Sequence, residues 1–211
     1  MDGGPLYALQ TELEQIYALA PAPDVTGFLL SDREQATALG GVAPDLDEAV
    51  LVLEEPGTMN LALFLDADVV EQLAGHDVRT DNLGAWLLAA EGVSHFVCLV
   101  RRAQLDWPVT QLELELQGEI DKFLLVERLL ATQGVRLPAT ALLRWLFDYP
   151  ELRTSLDSQE RWRYRLATRL ARSYCRCLPP VCSEEARRRS LREFYRLAGA
   201  QKVQRIRSLT H

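Results

Sequence analysis

Residues 82–102 are the segment that most restricts the fold. Trp86, Leu87, Leu88, Val93, Phe96, Val97, Leu99 and Val100 leave a helix of this length with no obvious solvent face. A helix that is apolar all round is stable only when other elements enclose it. The chain must therefore build a core around this helix. With 211 residues, 48% of them apolar, it has the material to do so and should bury roughly 70% of its unfolded surface. The same segment carries Glu91, His95, Arg101 and Arg102, so it falls short of the roughly 18 uncharged apolar residues of a membrane span. The start, Met1 to Pro5, lacks the basic-then-apolar pattern of a signal peptide. A cytoplasmic protein without a membrane partner is the expectation.

Periodicity and turn residues sketch the rest of the chain. Leu6, Leu9, Leu13, Ile16 and Tyr17 recur at the helical period, and Pro21 and Pro23 end that first helix. Apolar runs at 25–30, 49–53 and 61–65 follow, the last two flanking Pro56 and Gly57, which predicts a β-hairpin. Asp66 or Asp68 caps a short helix through Leu73. Beyond Asp81 the pattern is helical throughout. Helices are expected over 82–102, from Pro108 to Gly134, over 139–147, from Ser158 to Cys177, from a Ser183 cap to Leu197, and after Gly199. The fold class is thus α+β and mainly α: a small N-terminal helix-plus-hairpin unit over 1–80, packed on a helical bundle of about five helices over 81–211.

One polar constellation stands out against the apolar background. Glu91 and His95 are four residues apart and share a face of the 82–102 helix, a stripe that Cys98 and Arg102 continue. The next long helix has a heptad-like seam of Val109, Leu112, Leu116, Glu119, Phe123, Val126 and Leu130, in which Glu119 is the acidic member. If the two helices pack antiparallel about a turn near residue 105, Glu91 and Glu119 lie equally far from it, about 20 Å along the axis. His95 and Glu115 then share a level in the same way. Two carboxylates and an imidazole suit a divalent ion such as zinc, manganese or iron with an open position for water, with Glu115 as a candidate catalytic base.

The order of elements resembles that of zincin hydrolases, without their motif. Where that family has two histidines four apart and a glutamate directly after the first, this chain reads Glu91, Gly92, Val93, Ser94, His95. The competing reading is a buried ion network in which Arg165 or Arg169 meets these carboxylates and fixes the packing without chemistry.

Charge is divided along the chain. Residues 1–100 carry 17 acidic and 2 basic side chains, whereas residues 101–211 carry 13 acidic and 21 basic ones. Arg187, Arg188, Arg189 and Arg192, with aromatic residues nearby, are candidates for binding nucleic acid or another partner. Cys175, Cys177 and Cys182 lack the paired spacing of a zinc knuckle, and free thiols are the expectation there and at Cys98. A phosphate-binding glycine loop and a serine-hydrolase elbow are both missing, which excludes nucleotide hydrolysis and serine esterase chemistry. The leading expectation is a protein-binding or scaffolding protein with the Glu91, His95 and Glu119 network as its buried organiser, whose hairpin at 49–65 offers an edge strand to a partner chain. A metal-dependent hydrolase using Glu91, His95 and Glu119 comes second, and a nucleic-acid-binding protein third.

Overall fold

A computed structural model describes residues 4–40, 42–55, 57–74, 78, 81–149, 153–180 and 183–209. Cys182, His76 and His211 lie outside the described residues. Among those described, the chain forms nine α-helices and one three-stranded sheet, an α+β fold that is mainly α. It divides into two compact units. The first comprises residues 1–12 and 20–108, and the second residues 13–19 and 109–211.

In the first unit the opening residues of α1 (Gly4–Tyr17) are tied to the following loop by Gln10. Its side-chain amide donates to the carbonyls of Ala22 and Pro23 and accepts from the Val25 amide at 2.8 Å. A short 3-10 turn, Val25–Phe28, capped by Asp24, leads into β1 (Leu29–Leu30). Then comes α2 (Arg33–Gly40), a helix that the sequence reading did not foresee. Its only buried residue is Ala36, so no apolar stripe announces it. The signal lies in Asp32, whose carboxylate accepts from the Glu34 and Gln35 amides as an N-cap does.

The hairpin forms as expected. Strand β2 (Glu48–Glu55) pairs antiparallel with β3 (Thr58–Leu65) along its full length, from Glu48 opposite Leu65 to Glu55 opposite Thr58. In the intervening turn Gly57 has φ 80°, the left-handed conformation that glycine adopts without strain. The sheet order is β1-β3-β2, with β1 parallel to β3, so β2 is an edge strand.

Because side chains alternate along a strand, the sheet has two distinct faces. Phe64, Ala49 and Leu51 meet Ala36 of α2 and Val42 on one face. Leu63 and Glu48 meet Gly92 on the other, within α4 (Leu83–Gln104). The all-round apolar helix thus finds its cover partly in a sheet, and α4 belongs with the hairpin. Among the described residues α4 is also the one helix long and apolar enough to cross a membrane, and 67% of its most apolar stretch is buried inside the protein.

Helix α3 (Ala67–Leu73) packs on α4 and starts at Asp66, whose side chain caps it. The Asp68 amide, and then Arg33, hold the Asp66 carboxyl below the usual aspartate range. Arg33 also donates to the carbonyls of Ala43, Pro44 and Leu46, fastening the loop before β2.

The second unit is helical: α5 (Gln111–Thr132), α6 (Ala139–Phe147), α7 (Ser158–Arg176), α8 (Glu184–Tyr195) and α9 (Gly199–Leu209). Helix α5 begins at a Thr110 cap, slightly later than the Pro108 start expected, and Gly134, at φ 71°, follows its end. Asp157 and Glu160 form a reciprocal capping box on α7. Ser183 stands at the N-cap of α8 but makes no side-chain cap hydrogen bond. Helix α7 packs along α5, with α6 and α9 against α7.

Candidate functional site

In the first unit the polar residues gather where α4 crosses the sheet. Gly92 makes the crossing close: a Cβ there would stand 2.6 Å from Leu63 Cδ1 and 3.1 Å from the Glu48 side chain. His95 lies one turn further along α4, and its Nδ1 is 3.5 Å from Glu48 Oε1, with each side chain only 11% exposed. Glu91, on the same helix face, offers a carboxylate oxygen within 4.8 Å of an imidazole nitrogen of His95. An imidazole thus has a carboxylate from its own helix and one from β2 beside it. Glu91 and His95 are brought together as their spacing implies. Glu48 was not foreseen, although the alternation of Glu48, Val50 and Val52 places it on a face otherwise given to apolar residues.

The remaining sequence candidates belong to the second unit. Glu115 is buried and lies 3.8 Å from Arg163 Nε, beyond hydrogen-bonding distance. Glu119, expected as the acidic member of the core seam, is only half-buried, and its Oε1 accepts from Lys122 Nζ at 3.2 Å. Helix α5 is enclosed on several sides, so its buried positions do not follow one heptad stripe. Its fully buried acids are instead Glu113 and Asp121. Arg165 and Arg169, expected as partners for a buried carboxylate, are exposed.

Glu113, Gln117 and Asp121 recur every four residues and form the polar spine of this unit. Lys202, wholly inaccessible to solvent, places Nζ 3.3 Å from Glu113 Oε1 and donates to Gln117 Oε1 at 2.8 Å. Gln117 in turn donates to Asp121 at 2.9 Å and to the Tyr17 hydroxyl at 3.0 Å. The Tyr17 hydroxyl donates to Asp121, and burial together with that carboxylate raises the phenol well above its ordinary value. The rings of Phe194 and Tyr195 lie 5.7 and 5.4 Å from the Lys202 ammonium, within cation–π range.

The candidate arginines of α8 are all engaged within the unit. Arg187 is mostly buried, pairs with Glu127 and donates to the Pro179 carbonyl. Burial outweighs that arginine and leaves the Glu127 carboxyl above its ordinary value. Arg188 and Arg189 pair with Glu184 and Glu185 one turn earlier on the same helix, and Arg192 donates to the Ile16 carbonyl. Cys98, Cys175 and Cys177 are free thiols, and burial raises that of Cys175 well above the usual value.

The outer edge of β2 is the last feature with a chemical meaning. Its backbone is paired with β3 on one side, and no other backbone hydrogen bond to 49–55 is made by the described residues. Val52 is 43% exposed and Leu53 55%, on opposite faces, while Leu39 at the end of α2 is 67% exposed. No family model, no curated protein and no solved structure matches this chain.

Proposed function

We propose that this protein is a cytoplasmic binding protein whose first unit takes up an extended segment of another protein along the outer edge of β2. The observation that carries this reading is an eight-residue strand that, among the described residues, is hydrogen-bonded on one side only, with two large apolar side chains exposed at its outer half. Alternate residues of such a strand direct their N–H and C=O groups outward, a ready template for one more strand. Main-chain hydrogen bonds supply the affinity in this mode of recognition, and side-chain contacts beside Val52 and Leu53 supply the selectivity. The two-residue strand β1, at the opposite edge, is too short to serve in the same way.

Charge selects the occupant. The first unit has 17 acidic and 4 basic residues, and β2 itself carries Glu48, Glu54 and Glu55 and no basic residue. Antiparallel pairing of β2 with a second copy of itself brings these glutamates against one another, and like charges opposite each other weaken a ladder. A segment alternating apolar residues with Lys or Arg meets no such repulsion. The arginines of α8 are already matched by carboxylates and carbonyls of their own unit, which favours a protein partner over nucleic acid.

Selection from a library of displayed random peptides tests the reading. Binders are expected to alternate apolar and basic residues and to lose binding to Val52→Pro protein whose circular dichroism matches the wild type, because proline removes a ladder donor. Failure to enrich any peptide, or binders indifferent to Val52→Pro, would overturn it.

A further inference from the structure

We propose that the outer face of α7, with the neighbouring end of α6, binds single-stranded nucleic acid, taking phosphates on its arginines and bases on its exposed rings. The surface lies wholly within the second unit, so this inference is independent of the docking reading at β2.

The pattern of exposure on α7 is the first argument. Beyond the first turn of this 19-residue helix, the exposed residues are Trp162, Arg165, Arg169 and Arg176. With the half-buried Arg172 they are spaced by three, four, three and four, and therefore share one face. The stripe runs about 21 Å along the helix axis. The one acid of α7, Glu160, is engaged in the capping box. On α8, by contrast, Arg188 and Arg189 are matched by Glu184 and Glu185 one turn earlier. The corresponding neighbours of Arg169 on α7 are Arg165 and Arg172, and like charges at this spacing destabilise a helix. Among the described residues no carboxylate pairs with Arg165, Arg169 or Arg176. A bound anion would relieve that repulsion.

The rings select the anion. Arg172 pairs with Asp148 at 2.7 Å, which joins the α7 stripe to the end of α6. Tyr149 follows Asp148 directly and is 84% exposed, and Trp145, three residues before Asp148, is 50% exposed. Trp162, at the other end of the stripe, is 58% exposed. Arginines interleaved with flat rings suit a strand that carries phosphates and unstacked bases together. An acidic polypeptide has carboxylates for the arginines but no bases for the rings, and a duplex keeps its bases stacked inside. The chain as a whole is acidic, at a formal charge of −7, but the second unit holds 19 basic against 13 acidic residues. Charges more than about 8 Å away are largely screened at physiological salt, so the local excess governs the encounter.

Fluorescence anisotropy of a labelled oligothymidine of about fifteen nucleotides, titrated with the full chain, tests the proposal. Affinity is expected to fall about 20-fold between about 50 and 200 mM salt, as counterions displaced by three arginines imply. The double change Arg165→Ala and Arg169→Ala should weaken binding about tenfold or more and flatten that salt dependence. Trp162→Ala should weaken it about fivefold or more through loss of one stacked base. Arg188→Ala with Arg189→Ala should leave it nearly unchanged, because those arginines are already matched. Circular dichroism of each variant checks that the fold is intact, and glutamine replaces alanine at 165 and 169 if the first pair fails to fold. No binding at low salt, or binding lost with the α8 variant but kept with the α7 variant, would overturn the proposal. A duplex of the same length bound as tightly, or polyglutamate competing as well as the oligonucleotide, would overturn the choice of occupant.

Discussion

Replacing Lys202 by methionine is expected to cost about 3–5 kcal/mol of folding free energy, the range for leaving one partner of a buried ion pair without the other. Lys202 and Glu113 are 0% and 1% exposed, so water cannot take over the lost contact. Methionine fills a similar volume, and the loss therefore reports on charge and not on a cavity. Two acceptors lose their donor together, the Glu113 carboxylate and the Gln117 side-chain oxygen. A second change, Glu113→Met in the Lys202→Met background, should recover much of the loss, since apolar replacement of both partners is often neutral. Urea denaturation of the two single variants and the double variant measures the coupling. A loss under about 1 kcal/mol for Lys202→Met would contradict a satisfied buried pair.

Gly92→Val is the second large effect, with an expected cost of about 3 kcal/mol from overpacking. The new Cβ would stand 2.6 Å from Leu63 Cδ1, and Leu63 is itself 0% exposed on the central strand, with little room to turn aside. Gly92→Ala should cost less, because alanine gains about 1 kcal/mol of helix propensity over glycine and so offsets part of the collision. Shortening the obstacle with Leu63→Ala should make Gly92→Ala better tolerated than it is in the wild-type background. Thermal or urea unfolding of the four proteins tests this, and an unchanged midpoint for Gly92→Val would mean that α4 does not approach the sheet so closely.

Much of the fold was legible because the relevant signals are local. Capping residues, Pro-Gly punctuation and apolar periodicity marked the hairpin and eight of the nine described helices, with boundaries displaced by a few residues. Helix α2 escaped because it buries a single alanine, and only the Asp32 cap announced it. The polar sites were legible in part. Glu91 and His95 lie one turn apart on one helix, a proximity that sequence spacing encodes directly.

Glu48 lies far from both along the chain. Its place beside His95 depends on strand register and on the closeness of the Gly92 crossing, neither of which a spacing rule contains. The polar spine of α5 was missed for another reason. A heptad reading assigns one apolar seam to a helix, whereas α5 buries Glu113, Gln117 and Asp121 as well as Leu116, Ile120 and Phe123. Lys202 left a faint trace in composition, as one of two lysines in a chain with 21 arginines. Where arginine serves nearly every surface position, a lysine marks a place with a different demand, here a compact charge enclosed by two rings, a carboxylate and an amide.

Amide hydrogen exchange along β2, resolved residue by residue, bears most directly on the claim that its outer edge is open to a partner. Alternate amides between Ala49 and Leu53 should be protected by the ladder to β3, and those between them should exchange as fast as exposed amides do. Protection of every amide across this stretch in the free protein would mean that the edge is already covered, and the docking surface would not exist.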